Sequence, residues 1–311
     1  MSVNVVFLAG GLGNQLFQIA FAIDRYGIGN FEIDWSQRHP RNIQSWHPSV
    51  FEIMPTLQSY KVNRSHNSKT LFLFYRIVFS LFHNRTEGSV LTKYLIDYPL
   101  LSLANLYFGT RYRRRVRFIH DSNIKIQNRF ENEVCVGYFQ TSYYIESIGL
   151  MNFPIKLKLS KPFVNQVLER ARVAKPIVLH VRLGDYLGNS EIGVLDQDYY
   201  EDALNLVLRK KKTPIWVFTD SEEIVHSYIP SSYLNEMEVI RTRELKPYEV
   251  LTCMLGGAGY VISNSSLAWW AAYLRNDPNS TVVGPAIWFN LVPFESNLFP
   301  SGWIKISNAF K

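Results

Sequence analysis

Five short apolar segments in the second half of the chain, Ile177–Val181, Ile215–Thr219, Glu238–Ile240, Tyr260–Ser263 and Thr281–Val283, alternate with stretches of helical spacing. Strands that are apolar at nearly every position have both faces covered, and each intervening helix returns the chain to start the next strand in parallel. This rhythm predicts a doubly wound, mostly parallel α/β sheet. The N-terminus opens the same way, with a strand at Asn4–Leu8, a helix from Asn14 to about Tyr26 and a strand at Phe31–Trp35. In that helix Leu16, Ile19, Ala20 and Ile23 share one face. A chain of 311 residues exceeds the usual single core. Two Rossmann-like domains are therefore expected, 1–158 and 159–311, joined by the charged, proline-containing segment Lys156–Pro162. The C-terminal tail is a candidate to pack back on the N-terminal domain.

Composition narrows the partners. Lys and Arg total 33 against 26 Asp and Glu, a net charge of +7 that favours polyanions: nucleic acid, anionic membrane or a phosphorylated small molecule. The two cysteines, Cys135 and Cys253, each lie in an apolar stretch, so no disulfide scaffold is expected. With no signal-peptide pattern at the N-terminus, a cytoplasmic location is expected. The greasiest run, Thr70–Phe82, is interrupted by Arg76 and falls short of the roughly 20 residues that span a bilayer.

Ligands of doubly wound sheets bind beyond the carboxyl ends of the strands. The strand from Ile177 ends in "HVRLGDY", where His180 and Arg182 share one face. An Arg there can fork onto a diphosphate, and the His can hydrogen-bond a base or sugar, although an ion pair between Arg182 and Asp185 is an equally good reading. "YVISNSS" runs directly into an apolar helix, which places Asn264, Ser265 and Ser266 at a helix N-terminus suited to an anion or simply to capping. Asp220 ends a third strand, either as a cap of the helix expected over "SEEIVHSYI" or as a ligand contact. Trp269 and Trp270 read as packing. The "DQD" at Asp196–Asp198 resembles a metal-holding motif but precedes a helix with an acidic start and basic end, so it reads as a cap. No His/Cys/Glu cluster suggests a metal site. The turn "LAGGLGNQ", with Gly11 and Gly13, fits a phosphate cradle or another use.

Six blocks in order, "GGLGNQLFQ", "GYFQ", "HVRLGDY", "DYYEDAL", "SNSSLAWWAAYL" and "GPAIWFNLVPFESNLFP", resemble the bacterial α-1,2-fucosyltransferases of glycosyltransferase family 11 from residue 10 to about residue 300. The resemblance implies a GT-B-like fold whose two Rossmann-like domains face across a cleft. It also implies inverting transfer of L-fucose from GDP-β-L-fucose, held mainly by the C-terminal domain, to a galactoside hydroxyl of an oligosaccharide in surface polysaccharide synthesis, with no metal or other cofactor. It assigns Arg182 to the β-phosphate and Asn14 to the glycosidic oxygen or the acceptor; Val250 stands where the family carries an acidic guanine contact, which leaves the neighbouring Glu249 as the candidate for guanine. Asp185 and Glu191 are the candidate bases. Gly11 and Gly13 then face the diphosphate. Where the family shows His-x-Arg-Arg-x-Asp, Leu183 stands in place of the second Arg.

Two rivals use other features. An NAD-dependent oxidoreductase would use the opening βαβ unit with Asp34 on a ribose. An RNA-binding protein would use "RYRRRVR" at Arg111–Arg117 with nearby aromatics. Nucleic acid is not the expected partner, because a charge run is more often a solvated face. With a lipid-linked acceptor, the basic run and the apolar stretches Leu71–Phe82 and Leu100–Phe108 would give peripheral contact with the inner membrane face.

Overall fold

The computed structural model describes residues 4–35, 49–60, 102–107, 109, 117–120, 131–157, 161–208, 213–291 and 297–311. The chain divides into two compact units, Met1–Pro154 and Ile155–Lys311.

In the first unit, strand β1 (Asn4–Phe7), helix α1 (Leu12–Tyr26) and strand β2 (Glu32–Asp34) form the opening βαβ. A short helix α2 (Val50–Ile53), strands β3 (Arg117–His120) and β4 (Glu133–Val136) and helix α3 (Tyr143–Ile148) follow. The sheet runs β2-β1-β4-β3 and every pairing is parallel. Val5, Val6, Val134 and Cys135 are fully buried in adjacent strands, and α1 lays Leu16, Ile19 and Ala20 into the core. Ion-pair hydrogen bonds of 2.5 and 2.7 Å from Arg25 to Glu133 fasten the last turn of α1 to β4. α1 starts two residues before Asn14, with Gly11 as its N-cap, so Asn14 lies inside the first turn.

The second unit contains α4 (Pro162–Ala174), β5 (Ile177–Val181), α5 (Gln197–Leu208), β6 (Ile215–Thr219), β7 (Met237–Val239), α6 (Pro247–Met254), β8 (Gly259–Val261), α7 (Ser266–Arg275), β9 (Thr281–Pro285) and β10 (Ile304–Ile306). Proline opens α4 and α6, where its missing N–H costs nothing. The strand order is β10-β9-β8-β5-β6-β7, all parallel. Counted from β5, this is the 3-2-1-4-5-6 order of a doubly wound sheet, whose direction of winding reverses between β5 and β8. Both units are thus Rossmann-like α/β.

One local expectation changes. The segment after Asp220 forms only a short 3₁₀ turn at Val225–Ser227, because the Asp220 carboxylate is bonded elsewhere and caps no helix. The C-terminal tail adds to the second unit's sheet. Its β10 pairs with β9, Phe310 bridges to Leu195, and the Lys311 N–H donates to the Val194 carbonyl at 2.7 Å. The hydrogen-bonding edge of β9 is what draws it there.

The expected cap in "DQD" is Asp196, whose Oδ1 accepts from the Tyr199 N–H at 3.0 Å, with Asp198 in the first turn of α5. Trp269 and Trp270 are fully buried. Both cysteines are free and buried. Thr70–Phe82 lies outside the described residues, as does the basic run except for Arg117. Among the described residues no helix is long and apolar enough to cross a membrane.

Candidate active site

The reversal of winding in the second unit places the carboxyl ends of β5 and β8 side by side, with Leu179 paired to Val261. At and past those ends the chain supplies His180 within the last residues of β5, Arg182 and the turn at Gly184–Tyr186 on one side, and Ser263 to Ser266 on the other. His180 and Ser263 meet directly, Nδ1 to Oγ at 2.8 Å, both buried. Burial and the neighbouring Arg182 hold the His180 pKa down at about 4, against an opposing pull from Asp220. The imidazole is therefore neutral near pH 7, a hydrogen-bonding group that adds no charge.

Arg182 points past the strand end with its side chain 31% exposed. Its guanidinium holds Asp185 at 2.6 Å and Asp220 at 3.0 Å, and lies 5.3 Å from the Tyr186 ring centroid. Burial opposes its charge, but Asp220 and Asp185 outweigh that and raise its pKa. Asp220 does more than pair. Its Oδ1 accepts from the Leu183 N–H at 2.9 Å and the Gly184 N–H at 3.2 Å, so one carboxylate fixes both the guanidinium and the backbone turn after it. A Cβ on Gly184 would collide with that carboxylate. Asp220 thus shapes the site from behind. Asp185 is 68% exposed at the front.

Leu183 is fully buried among Val194, Leu195, Tyr199 and Tyr200. Position 183 faces the core, so a second arginine there would have no route to a ligand without rearrangement of the turn. Opposite, α7 begins at Ser266 with Ser265 as N-cap, and no side chain caps its free N–H groups. Ser265 is buried and Ser266 half-buried. Asn264 serves the framework, since its Nδ2 donates to the Gly193 and Trp288 carbonyls, each at 3.2 Å, and so ties the two flanking loops together. Glu191, exposed on the first of those loops, is held through its backbone by Leu291 and Asn189.

Glu249, expected at the base, is engaged locally instead. Its Oε2 accepts from the Lys246 N–H at 2.8 Å and pairs with Lys161 at 3.1 Å, while the residue is 1% exposed. A carboxylate at the third position of α6 is drawn to that helix's free N–H groups.

In the first unit the carboxyl ends of the parallel strands β1 and β4 lie side by side. There Gln18 joins the two strand ends, accepting from the Ala9 N–H at 3.1 Å and donating to the Gly137 carbonyl at 2.7 Å. Gln15 donates to the Gly10 carbonyl at 2.9 Å, and Gln140 donates to Asn14 Oδ1 at 2.7 Å. "GGLGNQLFQ" and "GYFQ" are therefore one hydrogen-bonded assembly, in which Asn14 is half-buried and held by its carbonyl end. Gly10 has a φ of +75°, which explains glycine there. Gly11 has an ordinary φ of −72° and a Cβ on it would meet open space, while Gly13 is buried within α1. Asp34, which an NAD site would need at a ribose, is fully buried.

The residues that sequence reasoning did not single out are Tyr186, Gln15, Gln18 and Gln140. The spacing of Gln15 and Gln18 on one helix face was the available signal, since two amides beside a glycine turn are well placed to satisfy its backbone. Among the described residues no cluster of His, Cys, Asp and Glu has a metal-holding form.

The family model described as "Glycosyl transferase family 11" matches residues 2–307. An Escherichia coli protein named alpha-1,2-colitosyltransferase is 24% identical over 98% of this chain and 99% of its own. The E. coli O-antigen biosynthesis glycosyltransferase WbnK is 24% identical over 96% of this chain and 99% of its own. Among solved structures, the α-1,6-fucosyltransferase NodZ soaked with GDP-fucose aligns with a TM-score of 0.44 and 12% identity, covering 88% of this chain and 92% of that one. A variant of Arabidopsis thaliana FUT1 in complex with GDP aligns at 0.45 and 11%, covering 90% and 70%.

Proposed function

The chain belongs to glycosyl transferase family 11, and from that premise we propose that it transfers L-fucose from GDP-β-L-fucose, with inversion, to a galactoside hydroxyl, O2 by preference, of an oligosaccharide used in surface polysaccharide synthesis. The observation that carries this reading is the pairing of Arg182 with an uncapped helix start at one switch point. Departure of GDP leaves charge on the β-phosphate, and donors already aimed at that position need no reorganisation as it develops. The diphosphate takes the place of Asp185 on the outer edge of the Arg182 guanidinium, while Asp220 keeps the inner edge. The His180–Ser263 pair stands beside it as a neutral contact for ribose or base.

As the C1–O bond to GDP breaks, its electron pair goes to the β-phosphate oxygen and the acceptor oxygen bonds C1 from the opposite face. Asp185, released from Arg182, is positioned to take the acceptor's proton, with Glu191 the alternative. Asn14, fixed by Gln140, orients the acceptor or the glycosidic oxygen through its amide. Arg182 and the α7 N-terminus supply the compensation that a metal ion would give, so no metal or other cofactor is required on this reading.

The colitosyltransferase relative favours one second reading, a GDP-linked colitosyl donor at the same site. GDP release is to be measured from GDP-fucose and from GDP-colitose against a galactoside panel with EDTA present. Release from GDP-fucose that persists in EDTA is expected, and Arg182→Ala should reduce it at least about a hundredfold while the melting temperature stays unchanged. Release from the colitosyl donor alone would replace the fucosyl reading.

A further inference from the structure

Tyr186 touches both halves of this anion grip. Its ring lies against the Arg182 guanidinium, and its hydroxyl donates to the Asn264 carbonyl at 3.1 Å, on the segment that leads from β8 into Ser265 and Ser266. It closes the turn at Gly184–Tyr186, where its own N–H donates to the Leu183 carbonyl at 2.8 Å. Asp220 holds that turn from behind, and the ring packs against the core of the second unit. Tyr186 is therefore anchored behind and tethered in front.

The geometry separates two ways of holding an arginine. Asp185 holds Arg182 by a guanidinium edge, which is also where an incoming phosphate must bind. The aromatic ring instead takes the guanidinium over its own face, with Arg182 Cζ 5.3 Å from the centroid, a cation–π contact for which a phosphate does not compete. When an anion displaces Asp185, the ring contact persists. The tether to Asn264 then fixes how far that guanidinium sits from the N-terminus of α7.

We propose that Tyr186 is a positioning residue that holds Arg182 over its ring and sets the spacing between Arg182 and the start of α7, so that both engage one diphosphate. The proposal rests on the reading of this site as the donor diphosphate site.

The test measures GDP affinity by calorimetry, turnover, and thermal unfolding for Tyr186→Phe and Tyr186→Leu, each alone and combined with Arg182→Lys. Tyr186→Leu should weaken GDP binding about tenfold and Tyr186→Phe, which keeps the ring and loses the tether, about threefold. Combined with Arg182→Lys, Tyr186→Leu should cost less than about twofold more, because the guanidinium it positions is gone. An equal loss in both backgrounds, or a fall in melting temperature with GDP affinity unchanged, overturns the proposal. Failure of the unaltered protein to bind GDP overturns the donor reading and this proposal together, whereas GDP binding without coupling overturns this proposal alone.

Discussion

At Arg182 a positive group is shared between two carboxylates of different exposure, Asp220 at 26% and Asp185 at 68%. Replacing the outer one with a neutral isostere separates its two roles. Asp185→Asn should bind GDP a few-fold more tightly, since the phosphate no longer competes with a carboxylate, yet turn over at least about tenfold more slowly if Asp185 takes the acceptor proton. Calorimetry with GDP and steady-state kinetics read the two effects independently. His180 carries the other residue-scale prediction. Its folded pKa of about 4 lies below the ordinary 6.5, so the unfolded chain binds the proton more readily. The stability this gives is complete above about pH 6.5 and is lost as the pH falls toward 4, by about 2 kcal/mol at pH 5. Urea unfolding at pH 7 and pH 5 should show a steeper loss for the unaltered protein than for His180→Gln.

At the scale of elements, local chemistry and distant partners divide the result. β5 and β6 lie where their apolar runs begin and end, at Ile177–Val181 and Ile215–Thr219, because full burial on both faces leaves no other residues for those positions. The cap of α5 was legible from its acidic start, and it gives a comparison: Asp196→Ala should destabilise by about 1 kcal/mol, as measured by denaturant unfolding, and Asp198→Ala by less. Where the structure differs from the sequence reading, another bond has taken the group concerned, long-range for Asp220 and Asn14 and local for Glu249. Asp220 has the composition of a helix cap but serves the turn after β5, and the helix expected behind it is missing. Asn14 looks like an N-cap, yet α1 begins at Leu12 and Gln140 holds its amide. Glu249 was expected to face a ligand and instead belongs to the start of α6.

For the whole molecule, each unit brings its motifs together at the carboxyl ends of two adjacent parallel strands: "GGLGNQLFQ" and "GYFQ" in the first, "HVRLGDY" and "SNSS" in the second. We propose peripheral membrane contact at this scale, since such contact depends on surfaces and net charge. Within 102–107, Leu103 and Leu106 are 56% and 67% exposed, and the net charge is +7. The protein should sediment with anionic liposomes at low salt and be released at high salt, with no sedimentation on neutral liposomes. Persistence in the supernatant at low salt would remove the membrane proposal.

The amino-acid sequence by itself determined the opening βαβ, the alternation of strand and helix in the second half, the parallel sense of its sheet, and the residues standing at the strand ends, because burial on two faces and helical periodicity are properties of neighbouring residues. Only the tertiary structure decided that β5 lies beside β8 and β1 beside β4, that Leu183 faces the core, and that Tyr186 spans from Arg182 to Asn264. Strand order and side-chain partners are long-range choices, made by competition among many residues for the same hydrogen bonds and the same buried volume.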